Sequence, residues 1–303
     1  MRIRVELEDL EEKIRLDCFL TEYLEDYSRS RLQKLIKGGK VFVNNKIEKP
    51  RYLVNSGDLI DINLDDLSIK PIKAEKINLE ILYKDDYIAI VNKPINMLSH
   101  PTANIRTGTL VNALKYHFES LCDINGEDRE GIVHRLDFNT CGLMIICLTN
   151  DAGEKMIEDF KDRKIVKKYR AIACGFFEEK KGDLKYSIAR NTRNRKLMAV
   201  DDDGKSAHTS YMVLEEKNHF SYLDISLYTG RTHQIRVHLS HINHPVLGDR
   251  DYGGKRTQFK VDHQLLQAYY LKFNHPISGK IMEFNIPMSS EIQKYYQVIF
   301  KGD

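Results

Sequence analysis

Asp137 and Arg135 stand two residues apart in the stretch Gly131-Ile-Val-His-Arg-Leu-Asp-Phe-Asn-Thr-Cys-Gly142, with Thr140 three residues further on. The polar window 137–142 lies between two apolar runs, 131–133 and 143–148. Runs that short and rich in β-branched residues predict buried strands, so Asp137 is expected in a tight connection at a sheet edge. Scaffolds commonly place functional residues in such connections. A carboxylate beside a cation there can serve as a nucleophile or as a base. The same D-x-x-T-x-G pattern also suits an aspartate that only caps its own turn, and the window alone does not choose between the two.

A second group with chemical potential is His233, His238, His241 and His244, four imidazoles within twelve residues, followed by Asp249 and Asp251. A metal-dependent nuclease could use such a set. On a helix, however, the first three are spaced five and three apart rather than at i, i+4, and no H-E-x-x-H pattern accompanies them. The expectation is therefore no metal.

The elements that must position these groups are bounded by composition. At 303 residues, one large and one small domain is the default expectation. No apolar run approaches the roughly eighteen residues that a membrane span needs, and the first residues carry no signal-peptide centre. Five scattered cysteines without C-x-x-C spacing predict reduced thiols, hence the cytoplasm.

A net charge of +3 decides little, but its distribution is uneven. Between Ser28 and Arg51 eight basic residues face a single acid, Glu48. Lys161–Arg170 holds six against Asp162, and Arg190, Arg193, Arg195 and Lys196 form a third cluster. Such local excess favours a phosphate-facing surface and a nucleic-acid partner. In the first cluster an amphipathic helix begins at Ile14. Ser28 suits the N-cap of a second, Arg29–Lys37, which Gly38-Gly39 would end. Leu32, Leu35 and Ile36 form its inner stripe, leaving Arg29, Arg31, Lys34 and Lys37 outside. Strands are expected at 41–43 and 59–64, with turns at Asn44-Asn45 and Gly57-Asp58. The reading is a small α+β domain over 1–64, a charged linker over 65–77 and a catalytic domain over 78–303.

In the larger part, strands are expected at 81–83, 87–92, 169–177, 219–228, 266–273 and 281–286, the last two as a hairpin. Helices are expected at 109–122, at 150–162 capped by Asn150 or Asp151, and around 233–239. Several hairpins and few β-α-β crossovers predict an α+β fold with a large mixed, mainly antiparallel sheet flanked by helices.

Five ordered segments resemble the RluA-type pseudouridine synthases: Val91–Pro101 (V-x-K-P…H-P), His134–Gly142 (H-R-L-D-x-x-T-x-G), Lys167–Arg170 (K-x-Y), Leu227–Leu239 (L-x-T-G-R-T-H-Q-I-R-V-H-L) and His244–Gly253 (H-P-x-x-G-D…Y-G). Together they span roughly residues 80–290. The N-terminal pattern resembles the small RNA-binding domain named after a ribosomal small-subunit protein. The resemblance implies a pseudouridine synthase fold and isomerisation of specific uridines in structured RNA. Large-subunit ribosomal RNA ranks first as substrate and transfer RNA second. It also implies Asp137 as the catalytic carboxylate, Tyr169 as the residue stacking on the base, and Arg135 entering the RNA where the target nucleotide flips out. Arg231, after the Thr229-Gly230 turn, is the candidate partner that grips Asp137 through two hydrogen bonds. Arg29, Arg31, Lys34 and Lys37 are the candidate RNA contacts of the small domain.

Isomerisation involves no redox change and no net group transfer, so no cofactor is expected, and the protein is expected to be a monomer. Two positions depart from the family pattern, Cys141 in place of Ser and Gln267 in place of His. They put fine positioning in question. A non-catalytic RNA-binding protein on the same scaffold is the alternative to an enzyme, and it would predict damage at Asp137 or Arg231, which are intact.

Overall fold

The computed structural model describes residues 2–4, 14–24, 27, 29–63, 72–102, 105–254 and 259–302. The chain divides into two compact units, Met1–Pro71 and Ile72–Asp303.

The first unit contains β1 (Arg2–Arg4), α1 (Leu16–Tyr23), α2 (Arg29–Lys37), β2 (Val41–Val43), β3 (Lys46–Ile47) and β4 (Leu59–Ile62). Its antiparallel sheet has the order β1-β4-β2-β3. Asn44 and Asn45 both take positive φ (50° and 64°), as a tight hairpin between β2 and β3 requires. Gly39, at φ 69°, ends α2 as expected; Ser28, the expected cap, lies outside the described residues. Leu32, Leu35 and Ile36 bury the inner face of α2 against Leu16, Leu20, Val41 and Ile60.

Asp17 is fully buried at the start of α1 and accepts hydrogen bonds from Arg15 (Nε 3.0 Å, Nη2 2.9 Å), from Arg29 (Nη2 3.2 Å) and from Gln33. Burial alone would raise its pKa, but these donors hold it down at about 2. The folded value lies below the ordinary 3.8, so this stabilisation is complete above the unfolded pKa and is lost as pH falls from about 4 towards 2. Asp17→Asn should therefore destabilise this unit by about 1–3 kcal/mol at pH 7. The deficit should shrink on acidification, read as thermal melts from pH 7 to pH 3.

The second unit is built on β5 (Glu80–Lys84), β6 (Ile88–Lys93), β7 (Cys141–Cys147), β8 (Val166–Cys174), β9 (Lys181–Leu184), β10 (Ile188–Arg190), β11 (Met198–Val200), β12 (Thr209–Lys217), β13 (Phe220–Leu227), β14 (Leu266–Asn274) and β15 (Ile281–Asn285). Its helices are α3 (Leu110–His117), α4 (Asn150–Lys161), α5 (Gln234–His241) and α6 (Ser290–Tyr296), the last running into a π-helical turn at Gln297–Lys301. Among the described residues the main sheet has nine strands, in the order β5-β6-β7-β14-β8-β13-β12-β9 with β15 beside β14; β10 and β11 form a separate hairpin. Every pairing in the main sheet is antiparallel except β7 with β14. The sheet is thus mixed and mainly antiparallel, with helices on it.

The continuous apolar run in β7 is explained by burial on both faces. Met144 and Ile146 pack with Val91, Leu110 and Leu114 on one side, while Leu143 and Ile145 pack with Ile88, Ile90 and Met156 on the other. β14 enters the sheet between β7 and β8, placing Ala268 opposite both Gly142 and Tyr169. The approach to β7 is close enough that a Cβ on Gly142 (φ 122°) would meet the Ala268 carbonyl oxygen at 2.1 Å.

Several boundaries differ from the sequence reading. Residues 131–133 are not a strand: Ile132 makes one isolated bridge to Ile146, and Gly131 takes φ 76°. The Cys147 N–H still donates to Gly131 O, but two residues back along β7 the His134 imidazole takes the place of a backbone acceptor, receiving the Ile145 N–H (2.8 Å). α3 stops at His117, since the chain beyond it turns to bond β7, with the Cys122 N–H donating to Cys147 O. Thr149, not Asn150 or Asp151, caps α4. Of the expected linker, residues 72–77 belong to the second unit. Ile72 is buried, the Glu75 N–H donates to Asn112 O, and Asn112 Nδ2 donates to Lys73 O.

Candidate active site

Asp137 sits in the turn entering β7, where its carbonyl oxygen accepts from the Thr140 N–H (3.1 Å). The turn is held from below by the segment after β6. Ser99 Oγ donates to Leu136 O and accepts from the Leu136 N–H, and the Met97 N–H donates to Phe138 O. Lys93 is fully buried, with Nζ donating to the carbonyls of Pro94 (2.8 Å), Met97 (2.9 Å) and Phe138 (3.4 Å). Burial lowers the Lys93 pKa to about 8, against smaller opposing influences from Cys141 and Asp137. The V-x-K-P segment thus serves as the cradle of the Asp137 turn.

The cation on Asp137 is Arg236, not Arg231. Arg236 Nη1 donates to Asp137 Oδ2 at 3.2 Å, while Nε and Nη2 grip Asp249 (2.7 and 2.9 Å) and Nη2 also reaches Asp251 Oδ2 (3.0 Å). Its guanidinium lies 4.9 Å from the centre of the Tyr252 ring. The side chain is 6% exposed and Asp249 fully buried, so the fork is fixed from behind by a carboxylate with no access to water. Arg231 Nε instead donates to Ser206 O at 3.1 Å. The turn that carries Arg231 is knotted by Gln234, whose Oε1 accepts from Thr229 Oγ1 and the Arg231 N–H and whose Nε2 donates to His208 O and Thr209 Oγ1. Arg236 lies in the first turn of α5, where side chains lean back towards the helix start and so towards Asp137.

Tyr169 on β8 is buried at the junction of two cavities. One, of 70 Å³, is lined by Asp137, Thr140, Tyr169, His233, Gln234 and Arg236 among others. The other is a cleft of 540 Å³ carrying Arg129, Arg135, Lys161, Arg163, Lys167 and Arg231, and no carboxylate among its described lining residues. Tyr169 and Arg231 line both cavities, and so does Arg135, whose side chain is exposed. Arg163 closes α4 at φ 60°, a left-handed position where glycine is usual, and Lys167 Nζ lies 5.3 Å from the Phe160 ring centre. Burial lowers the Lys167 pKa to about 8, leaving it charged at neutral pH. A small pocket holding an acid and opening into a cationic cleft suits one base of a polyanion drawn out of its strand.

A family model described as RNA pseudouridylate synthase matches residues 87–241, and a second, for the S4 domain, matches residues 14–60. Ribosomal large subunit pseudouridine synthase D of Pasteurella multocida is 40% identical, with 94% of this chain and 91% of that protein aligned. The protein of the same name from Escherichia coli is 38% identical over 94% and 90% of the two chains. The chain belongs to the RNA pseudouridine synthase family. Among solved structures, Human RNA Pseudouridylate Synthase Domain Containing 1 superimposes with a TM-score of 0.57 at 27% identity, covering 71% of this chain and 85% of that one.

In this synthase the two departures from the family pattern are neighbours, since Gln267 pairs with Cys141 where β14 meets β7. Gln267 Nε2 donates to Pro287 O and its Oε1 accepts from the Ser289 N–H, so it fastens the chain after β15 rather than entering the pocket. The four histidines of the synthase do not converge. His238 is hydrogen-bonded to Thr209 and Tyr186, His244 to Cys174 O, and His233 to Tyr252, while His241 packs on Tyr186. Among the described residues no three His, Cys, Asp or Glu side chains come together as a metal would require. In the small unit, Lys34 and Lys37 are exposed, and so is Arg29, which also pairs with Asp17; the Arg31 side chain lies outside the described residues.

Proposed function

We propose that the protein isomerises uridine to pseudouridine in structured RNA, with large-subunit ribosomal RNA as first candidate substrate and transfer RNA as second, and with Asp137 as its catalytic carboxylate. The observation that carries this reading is the pairing of Asp137 Oδ2 with Arg236 beside Tyr169, at the foot of the cationic cleft. In the reaction the N1–C1′ bond breaks, the uracil turns while held, and C5 bonds to C1′; the proton leaving C5 is balanced by one gained at N1. Arg236 occupies Oδ2, and among the described residues Oδ1 has no protein partner, so Oδ1 is available as nucleophile or as base. Tyr169 offers a ring face to the base, and its burial keeps the phenol protonated. Arg135 and the cleft cations hold the phosphates on either side and occupy the space the base has left. Among the described residues no helix is long and apolar enough to cross a membrane. The reading places the protein in the cytoplasm as a monomer.

Mapping pseudouridine in total RNA from cells with and without this gene tests the assignment. Loss of one or more large-subunit sites is the expected result, and an unchanged map refutes it. The basic face of the first unit suggests a separate test. Removing residues 1–71 should lower affinity for structured RNA and flatten its salt dependence, because fewer phosphate contacts release fewer counterions. Turnover at saturating RNA should change less than affinity. Titrations of both forms across a potassium chloride series would show this, and an unchanged slope would mean that those cations face water.

A further inference from the structure

His233 stands where a helix cap should be and does not act as one. It is the N-cap residue of α5, yet its φ is 56°, and its side chain makes no capping hydrogen bond. A non-glycine residue in the left-handed region costs roughly 1 kcal/mol, and such strain persists where the surrounding structure imposes it for another purpose. Its Nδ1 lies 2.8 Å from Tyr252 Oη, and that oxygen also accepts from the Met198 N–H at 2.8 Å. The proton positions follow from counting partners: with the Tyr252 hydroxyl donating to Nδ1, all three groups are satisfied and the imidazole carries its one proton on Nε2. Burial lowers the His233 pKa, which keeps the ring neutral. The ring lines the same 70 Å³ pocket as Asp137, Thr140 and Tyr169.

We propose that His233 contacts the substrate, its Nε2–H donating to a carbonyl oxygen of the target uracil, with Tyr252 as the residue that orients it. The inference rests on the isomerase reading above and adds a group to its pocket. A base freed from its sugar must be held by its edge while it turns, and two other side chains that could donate there are committed. Arg236 spends its nitrogens on three carboxylates, and Gln234 Nε2 is taken by His208 and Thr209. Arg135 and Arg231 are charged and line the phosphate cleft as well, whereas a neutral N–H matches a neutral carbonyl. The Met198 contact extends the chain outward. Met198 opens β11, and the turn joining it to β10 carries Arg193, Arg195 and Lys196.

The test uses the full-length protein and a short RNA that it modifies, with the target position as uridine, 2-thiouridine or 4-thiouridine, sulphur being the poorer acceptor. His233→Ala should slow turnover of uridine about 10- to 100-fold while the RNA Kd stays within about twofold. One thio substitution should slow the wild type about tenfold and leave His233→Ala no slower than on uridine, because the contact is already gone. Tyr252→Phe, which keeps the ring under Arg236, should move in the same direction by less, and it carries the test if His233→Ala melts at a much lower temperature. Wild-type turnover in His233→Ala, or a thio penalty undiminished in both variants, overturns the assignment of His233 alone. A wild type that isomerises uridine in no RNA overturns the isomerase reading itself.

Discussion

Asp137→Asn should leave a folded protein that binds RNA with unchanged affinity and forms no measurable pseudouridine. The amide keeps the shape of the turn, and its oxygen can still accept from Arg236 Nη1, so the Thr140 contact and the grip on Asp249 survive. Charge and basicity are lost together. A base contributes about 10²- to 10⁴-fold and a nucleophile on the order of 10⁶-fold, so residual turnover should fall to the background of a single-turnover assay. Affinity should hold within about twofold, since Asp137 does not line the cleft that carries the cations. Filter binding beside primer-extension mapping of the product separates the two quantities. Turnover of the variant near the wild-type rate would remove Asp137 from the chemistry.

Exchange of the two arginines should give unequal results. Arg236→Lys keeps a charge but cannot serve Asp137, Asp249 and Asp251 at once, because an ammonium has no planar fork. The expected loss is about 10²- to 10³-fold in kcat, typical of one preorganised charge contact removed from a closed site. Asp249, fully buried, would be left partly unsatisfied, which should lower stability by about 1–3 kcal/mol. Arg231→Lys should change kcat little and raise the KM for RNA several-fold, because Arg231 lines the cleft and bonds a carbonyl instead of the acid. Steady-state kinetics of both variants with one RNA decides the matter. A larger kcat loss in Arg231→Lys than in Arg236→Lys would reverse the assignment.

What was legible in the sequence divides along physical lines. The α2 stripe, the Asn44-Asn45 turn and the β14–β15 hairpin rest on local signals, namely spacing, turn chemistry and alternation, and they stand at or near their expected positions. Asp137 at the mouth of a buried strand was readable for the same reason. The partner of Asp137 was not, because it depends on a tertiary contact. The Thr229-Gly230 turn pointed to Arg231, whereas α5 begins at Gln234 and brings Arg236 round, held by an aspartate thirteen residues on. Residues 131–133 read as a strand because their composition suits one, but a histidine side chain takes the place of a backbone acceptor beside them. The short strands β9 to β11 gave no periodic signal, yet β11 supplies the backbone N–H that reaches Tyr252.

The parallel seam where Gly142 meets Ala268 joins segments about 125 residues apart in the chain, a closure whose entropy must be overcome before its contacts form. A growing polypeptide that has emerged as far as α5 already holds Asp137, Tyr169 and Arg236. It still lacks the strand that lies between the first two and keeps them in register. The pocket is therefore completed only once β14 is delivered, so a copy that stops at α5 holds the residues of the pocket without the strand that sets their spacing.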